Sequence, residues 1–236
     1  MLAILSQQAP AKTEEALRSM GYSPLRLPPH PALPTPVASH PDMLLFFASD
    51  AILCTRSYLE IARASLERIA KAASLPLQAV EEEYGGAYPA DVLFNAAPIG
   101  KHLFCLPSAT AKRITEGGQY SVCPVKQGYT KCSVIPCGEN AMVTSDPSIH
   151  KAGISSGVNS LLLSPRGIAL PGYDHGFLGG CASFAPYRSV DTVLFCGNVD
   201  LYPDGEKLKR FLQSNGFYVR SLGELPLTDI GTVFLI

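Results

Sequence analysis

The 236-residue chain contains no tryptophan, no block of like charges and no hydrophobic run long enough to cross a membrane. Nineteen Lys and Arg residues oppose twenty Asp and Glu residues, giving a net charge of −1, so binding to nucleic acid or an anionic membrane is not expected. Only 17% of residues are charged against 47% hydrophobic, a balance too apolar for disorder. Apolar runs such as Met43–Ala48 fall far short of a membrane span. These absences predict a soluble globular protein.

Targeting, cofactor and metal motifs are missing as well. Met1–Ser6 has neither the basic start nor the long apolar stretch of a signal peptide, so a cytoplasmic protein is expected. No phosphate-loop or dinucleotide pattern occurs, and no cofactor is predicted. The seven cysteines are odd in number and scattered through apolar segments, which favours reduced thiols. Cys132 and Cys137 are the one close pair, and their spacing does not fit a metal knuckle, so no metal site is predicted.

Twenty prolines and twenty glycines divide the chain into short pieces that recur in the same order. A helix candidate is followed by an apolar strand, a loop rich in Pro, Gly or Tyr, and a pair of strands. Five such pieces, each about 40 to 60 residues long, can be traced. The apolar strands are Gly21–Leu27, Ser74–Val80, Gly118–Val125, Gly157–Leu163 and Gly216–Leu222; the pairs are Asp42–Phe46 with Ala51–Cys54, Asp91–Phe94 with His102–Cys105, Cys132–Ile135 with Ala141–Thr144, and Cys181–Phe184 with Thr192–Phe195.

Helix candidates lie where this order requires them, and their ends carry capping residues. Asp146–Pro147 is a capping residue followed by proline at the first helical position, and Gly21, Gly157 and Gly216 are placed to end helices. The predicted helices are Thr13–Met20, Ser57–Ala73, Ala109–Glu116, Pro147–Ile154 and Gly205–Asn215.

The two chain ends complete the pattern. The fifth piece supplies one strand, Asp229–Leu235, without a partner, and Leu2–Ser6 is left over at the start of the chain. Pairing these segments would close the five pieces into a ring with the helices outside. The sequence therefore predicts one α/β (α+β) domain over residues 1–236: a closed five-unit β/α propeller with pseudo-fivefold symmetry, the amino-terminal strand completing the last blade. A plain α/β domain with coincidental repeats is the alternative, and chain ends in different sheets would favour it.

This architecture resembles the five-bladed β/α propeller of the pentein superfamily. Its members include the guanidino-group-modifying enzymes, namely arginine and agmatine deiminases, dimethylarginine dimethylaminohydrolase and amidinotransferases, and a ribosome anti-association factor. The resemblance covers the whole chain and rests on architecture and a few short motifs.

In a closed ring the innermost strands begin at one mouth, so residues at their starts converge although they are far apart in sequence. Three carboxylates, a thiol and an ammonium near one point suit a small cationic or zwitterionic nitrogen compound, because a planar guanidinium pairs well with carboxylates. Turn chemistry at strand entries is the alternative role of the three aspartates. The residues at these starts are Asp42, Asp91, Lys131 with Cys132, Cys181 in the turn Gly179–Cys181, and Asp229.

The segment Gly172–Gly180 adds a glycine-rich loop whose backbone can approach a ligand closely. Its final Gly-Gly resembles the acidic-residue-Gly-Gly turn of the guanidino-modifying enzymes, although Leu178 stands where those enzymes place a ligand-contacting residue. Within the loop, Tyr173 and Asp174 are candidate ligand-binding residues and His175 is a candidate proton carrier.

The resemblance implies a catalytic thiolate, a histidine that moves protons, and carboxylates that hold the guanidinium. The enzymes carry the nucleophile in a Gly-rich His-Cys stretch near the carboxyl terminus, where this chain has Pro226–Gly231 with Asp229 in place of the thiol. Their middle-blade histidine would fall near Gln127–Cys132, which contains no His. The sequence therefore leaves open whether the protein is an enzyme.

Two functional hypotheses follow. In the first, Cys132 or Cys181 is the nucleophile of a hydrolase or transferase acting on C–N bonds of a guanidino compound, with His175 as its base, and Lys131 favours the thiolate of Cys132. In the second, the protein binds a small molecule or a protein partner without turnover. The recognition residues would then be Asn95, Gln127, Tyr129, Lys131 and Tyr173.

The stretch Pro28–Pro41 contains six prolines and is a candidate homodimer contact, as are the exposed edges of the predicted sheets.

Overall fold

The computed structural model describes residues 1–187 and 190–236. Within them, short strands and helices alternate along the chain. The strands are β1 (Leu2–Ser6), β2 (Ser23–Leu27), β3 (Phe46–Phe47), β4 (Ile52–Cys54), β5 (Leu77–Ala79), β6 (Ala97–Ile99), β7 (His102–Cys105), β8 (Ser121–Pro124), β9 (Val134–Pro136), β10 (Ala141–Thr144), β11 (Asn159–Leu162), β12 (Ile168–Ala169), β13 (Ala182–Tyr187), β14 (Val190–Phe195), β15 (Tyr218–Ser221), β16 (Leu227–Thr228) and β17 (Phe234–Leu235).

The α-helices are short, and most lie at the predicted places; Pro41–Leu44 and Thr130–Ser133 were not predicted as helices. Three 3₁₀ turns, Thr35–Val37, Gly179–Cys181 and Val199–Leu201, accompany them in the described residues. The helices are α1 (Ala11–Ser19), α2 (Pro41–Leu44), α3 (Arg56–Ile61), α4 (Arg63–Ala73), α5 (Lys112–Thr115), α6 (Thr130–Ser133), α7 (Pro147–Ser155) and α8 (Gly205–Ser214).

Capping residues set several helix ends as predicted. Oδ1 of Asp146 accepts hydrogen bonds from the backbone N of Ser148 (2.7 Å) and Ile149 (2.9 Å) at the start of α7. Gly21, Gly157 and Gly216 follow helices with φ of +89°, +77° and +87°, a conformation that glycine adopts without strain.

Two predicted helices differ from the structure. The segment Ser57–Ala73 is not one helix, because Ala62 leaves helical geometry (φ −112°, ψ 17°) and separates α3 from α4. The predicted helix Ala109–Glu116 shortens to α5, and a hydrogen bond from the backbone N of Ala111 to the oxygen of Leu93 (3.0 Å) ties the preceding residues to another segment.

Five three-stranded sheets share one plan. In each sheet the outer two strands flank a central one, which is antiparallel to the first and parallel to the third. Each parallel pair is connected through a helix, as parallel pairing requires a crossover. The strand orders are β17-β1-β2, β3-β4-β5, β6-β7-β8, β9-β10-β11 and β13-β14-β15, and the short pair β12-β16 lies apart from this plan.

The first and last strands belong to one sheet. β1 pairs antiparallel with β17, with Ala3 opposite Leu235 and Ile4 opposite Phe234. The prediction that the amino-terminal strand supplies the missing partner of the last unit is therefore confirmed, and the alternative of chain ends in different sheets is wrong.

The predicted inner strands are wrong at their starts. Asp42 lies in α2, Cys132 lies in α6 and Asp91 lies in a turn, each shortly before the first strand of a sheet. Pro41 occupies the first turn of α2, where its fixed φ favours helix over strand. The fourth and fifth units behave alike, because Cys181 ends a 3₁₀ turn and Asp229 follows β16 outside any strand. The candidate side chains therefore lie in the short helices and turns that lead into the sheets.

Candidate ligand-binding site

Asn95 joins two other predicted site residues by direct hydrogen bonds. Its Nδ2 donates to the backbone oxygen of Asp42 (3.3 Å) and to Sγ of Cys132 (3.0 Å), and its Oδ1 accepts from the backbone N of Cys132 (3.1 Å). All three residues are at most 2% exposed. A buried polar cluster thus forms where three distant segments meet.

The carboxylate of Asp42 is at the centre of this cluster. Its Oδ2 accepts a hydrogen bond from Sγ of Cys132 (3.3 Å) and lies 3.1 Å from Oγ1 of Thr232. Its Oδ1 has no hydrogen-bond partner among the described residues. Burial raises the pKa of Asp42, and the positive charge of Lys131 opposes that rise. The carboxylate therefore has one acceptor oxygen unpaired within the buried cluster.

Lys131 is connected to the carboxylate of Asp42 through the hydroxyl of Thr232. Its Nζ donates to Oγ1 of Thr232 (2.8 Å). Burial lowers the pKa of Lys131, whereas the charge of Asp42 acts in the opposite direction. Thr232 is not predicted as a site residue from the sequence, because its contacts with Lys131 and Asp42 join distant segments and form only in the folded chain.

Asp229 is held by backbone amides. Its Oδ2 accepts from the N of Phe177 (2.8 Å) and its Oδ1 from the N of Gly231 (3.0 Å). Burial raises the pKa of Asp229 to about 6, while these two hydrogen bonds and Lys131 act to lower it. A Cβ on Gly180 would lie 1.9 Å from Oδ1 of Asp229, so the predicted Gly-Gly turn is needed for backbone to pack against this carboxylate.

His40 lies beside Asp229 and, like Thr232, is not predicted as a site residue from the sequence. Its Nδ1 is 3.8 Å from Oδ1 of Asp229 and has no hydrogen-bond partner among the described residues. Burial lowers the pKa of His40 to about 4, so the ring is neutral at pH 7. His40 therefore adds a polar atom, and no charge, next to the carboxylate.

A pocket of about 220 Å³ opens beside this cluster. Its walls are mainly aromatic and aliphatic, and Asp229 and Cys132 are its buried polar residues. Concave, mostly apolar sites with few polar groups are typical of small-molecule binding. The lining residues are Val37, Tyr129, Cys132, Leu170, Tyr173, Asp174, His175, Phe177 and Asp229.

Tyr129 is packed between two aromatic rings in the pocket wall. Its ring stacks between Tyr88 (centroids 5.5 Å apart) and Phe177 (5.7 Å), at 28° to each. Its hydroxyl donates to Oδ2 of Asp91 (2.6 Å), and Oδ1 of Asp91 has no hydrogen-bond partner among the described residues. Burial and Asp91 raise the pKa of Tyr129, so the phenol is protonated. Asp91 thus lies behind the wall and orients Tyr129.

The two candidate nucleophiles differ in position. Cys132 lines the pocket, whereas Cys181 lies outside it and donates from Sγ to the backbone oxygen of Leu178 (3.0 Å). The pKa of each thiol is raised well above the usual value of a cysteine. Burial is the largest cause, and the negative charge of nearby carboxylates is the next. Lys131 and the Cys132 thiolate attract each other as expected, but burial and Asp42 outweigh this attraction and favour the thiol.

The loop residues lie at the pocket rim. Tyr173, Asp174 and His175 are exposed, and all three line the pocket together with Asp229. Nδ1 of His175 is 3.2 Å from the backbone oxygen of Gly176, and its ring meets Phe177 edge-on. Gln127 supports the site from outside, since its Oε1 accepts from the backbone N of Tyr129 (3.1 Å).

Within the described ranges, no group of three or more His, Cys, Asp and Glu residues is arranged to hold a metal ion. The same residues contain no helix that is both long and apolar enough to cross a membrane.

The mixed α/β fold is similar to that of solved pentein structures. Solved structures with a similar fold include a cysteine-to-serine mutant of DDAH from Pseudomonas aeruginosa complexed with citrulline, at TM-score 0.54 and 11% identity, covering 93% of this chain and 91% of that one. An amidinotransferase from Microseira wollei in the saxitoxin biosynthetic pathway matches at TM-score 0.52 and 12% identity, with 93% and 87% covered. The agmatine deiminase of C. jejuni matches at TM-score 0.52 and 10% identity, with 94% and 76% covered.

The chain itself belongs to the Family of unknown function (DUF6873), whose model matches residues 4–234. No curated protein sequence matches it.

Proposed function

We propose that the protein binds a small organic cation or zwitterion with a planar, nitrogen-rich head group, such as guanidinium or amidinium, in the pocket beside Asp229. The observation that carries the proposal is a buried carboxylate, largely ionised at pH 7, in a pocket with aromatic walls. Carboxylates pair with the donors of a planar cation, and aromatic faces attract its charge. Phe177 and Tyr173 are the lining aromatic residues that can offer such a face, because Tyr88 and Phe177 cover the two faces of Tyr129.

The unpartnered carboxylate oxygens support the same ligand class. Oδ1 of Asp42 and Oδ1 of Asp91 are buried without a hydrogen-bond partner among the described residues. Asp42 contacts Cys132 and Asp91 contacts Tyr129, and both of these neighbours line the pocket. Neither aspartate lines the pocket itself, so the unpartnered oxygens favour a positively charged ligand through the negative potential of acceptor oxygens near the pocket wall.

The similar structures support a nitrogen-rich ligand as well. By their names, one is a deiminase of agmatine and another transfers amidino groups. At 10–12% identity, the likeness concerns the fold, so the ligand class of this protein rests on its own pocket.

Catalysis is the second candidate function, and the place of Cys132 in the pocket favours it. A cation bound between the thiol and Asp229 would lower the pKa of Cys132 by opposing the carboxylate charges that now raise it. The thiolate could then add to the electrophilic carbon of the bound head group, moving the C=N electron pair to nitrogen. Collapse of this adduct would break a C–N bond and release the amine, which takes its proton from His175 or solvent, and water or an acceptor amine would then displace the thiol. Under this candidate the protein is a hydrolase or transferase acting on C–N bonds.

We also propose that the five sheets close into a ring with this pocket at its axial mouth. The shared strand plan, the pairing of β1 with β17, and the packing of β13 against β17 and of β6 against β9 support closure. An experimental structure in which neighbouring sheets do not follow one another around a common axis would contradict it.

Propylguanidinium and propylurea test the binding proposal, because they share a shape and differ in charge. We expect calorimetry at pH 7.5 to show binding of propylguanidinium and at least roughly tenfold weaker binding of propylurea. Asp229→Asn should weaken propylguanidinium binding by roughly tenfold or more, because the isosteric amide removes the charge. The matched control is Asp200→Asn, at an exposed surface ion pair. Equal binding of the two compounds would contradict the proposal.

A further inference from the structure

Thr232 has an unusual backbone conformation for its residue type. Its φ is +63°, in the left-handed region that β-branched residues rarely occupy. It is 4% exposed, and its backbone N donates to the oxygen of Gly180 (2.8 Å). Strain of this kind persists where the surrounding structure fixes it, and it often accompanies a functional site.

This conformation places one hydroxyl between a cation and an anion. Oγ1 of Thr232 accepts from Nζ of Lys131 (2.8 Å) and lies 3.1 Å from Oδ2 of Asp42 and 3.0 Å from the oxygen of Gly179. Because the lone pair faces Lys131, the single proton is free to point to Asp42 or to Gly179. The ammonium is thus linked to the carboxylate through one hydroxyl, and its charge acts on Asp229 as well.

We infer that Lys131 is a built-in counter-cation that determines the charge of the ligand: it makes the pocket favour singly charged cations over doubly charged ones. The inference rests on the proposed function. Carboxylates alone would attract a dication more strongly than a monocation, since attraction grows with charge. An ammonium fixed beside the carboxylates repels each positive charge of the ligand, and discrimination against a competitor needs such a repulsive element.

Other charged groups around the site do not duplicate this role. His40 is neutral at pH 7, and Asp91 is turned toward the hydroxyl of Tyr129. Asp174 and His175 lie exposed at the rim, where solvent weakens electrostatic interactions. Lys131 is therefore the cation whose charge reaches both buried carboxylates.

Propylguanidinium and 2-aminoethylguanidinium provide the test, because they are of similar length and differ by an ammonium in place of a methyl group. We expect the unaltered protein to bind the monocation about tenfold more tightly than the dication. Lys131→Met should strengthen binding of the dication by about tenfold and binding of the monocation by less. The preference of the protein for the monocation should therefore become smaller or reverse. The matched control is Lys126→Met, which makes the same charge change at an exposed lysine five residues earlier and should alter neither affinity by more than about twofold.

Lys131→Gln and Lys131→Arg keep the test decisive if the methionine variant folds poorly. The glutamine should behave like methionine, and the arginine, which retains the charge, should keep the preference for the monocation. If the unaltered protein binds both cations equally, or if the preference survives Lys131→Gln, the inference is wrong, while guanidinium binding and the proposed function stand. If neither cation binds the unaltered protein, the proposed function is wrong and the inference falls with it.

Discussion

Asp229 sets the pH range in which a cation can bind. Its pKa is raised to about 6 by burial, so it takes up a proton at a higher pH than an ordinary aspartate, and protonation removes the negative charge that attracts the ligand. We predict that propylguanidinium affinity is nearly constant from pH 7 to 8 and falls roughly tenfold between pH 7 and pH 5. Calorimetry across this range measures the effect. An affinity unchanged down to pH 5 would mean that another carboxylate holds the cation.

The two candidate nucleophiles can be told apart by labelling. We predict that an electrophile carrying an amidinium group modifies Cys132 and spares Cys181, because Cys132 alone of the two lines the pocket. A neutral electrophile of equal intrinsic reactivity should modify both slowly, since both buried thiols have raised pKa values. Peptide mass spectrometry reads the outcome, and excess propylguanidinium should protect Cys132. Slow labelling of Cys132 by both reagents would leave binding as the function and exclude thiol catalysis.

At this scale the sequence predicted part of the site. Asp42, Cys132 and Asp229 are predicted from their places at strand starts in the repeat, and Asn95 is predicted as a recognition residue of the binding hypothesis. The structure brings Asp42, Asn95 and Cys132 into contact and places Cys132 and Asp229 beside one pocket. His40 lies two residues before Asp42, outside the repeat position, and it joins the site only because folding buries it beside Asp229. Tertiary contacts of this kind leave no pattern in a single sequence.

At the scale of elements, α7 offers a direct test of capping. Three hydrogen bonds reach Oδ1 of Asp146, from the N of Ser148 and Ile149 and from the hydroxyl of Ser148. We predict that Asp146→Ala lowers the free energy of unfolding by about 1 kcal/mol, because two backbone donors lose their acceptor. Thermal denaturation should show a melting temperature lower by roughly 2–4 °C. The control is Glu139→Ala at an exposed loop position, and equal shifts in both variants would contradict a capping role.

The elements also show why local sequence predicts some boundaries and misses others. Asp146 caps α7 through its side chain, and Pro147 and the glycines after helices act through their own backbone conformation. Because each acts on the residues next to it, the boundaries can be predicted from local sequence. The segment Asp91–Phe94 was predicted as a strand because it is largely apolar, and it is indeed buried. Its backbone nevertheless forms a turn. Burial and strand pairing produce the same apolar pattern, and one sequence does not separate them.

At the scale of the whole molecule, the pairing of the chain ends should contribute strongly to stability. Leu2 and Ile236 exchange both backbone hydrogen bonds, so Ala3 and Leu235 form the adjacent non-hydrogen-bonded pair, whose close Cα atoms suit a disulfide. We predict that oxidised Ala3→Cys/Leu235→Cys is more stable than its reduced form by roughly 2–4 kcal/mol, because the bond closes a loop of nearly the whole chain.

Thermal melts of the oxidised and reduced double variant measure this difference, which should raise the melting temperature by roughly 5–10 °C. The single variant Ala3→Cys controls for loss of the native side chain. Failure of the disulfide to form under mild oxidation would show that the first and last strands do not pair in solution.

The stacking of Tyr129 in the pocket wall has an optical consequence. The chain has ten tyrosines and no tryptophan, so no indole masks the emission of a phenol. Tyr129 is in contact with two aromatic rings and donates to the carboxylate of Asp91, an arrangement that quenches excited tyrosine. A ligand that enters beside it would alter this quenching, and the protein would then report the filling of its own pocket by fluorescence, without an added dye.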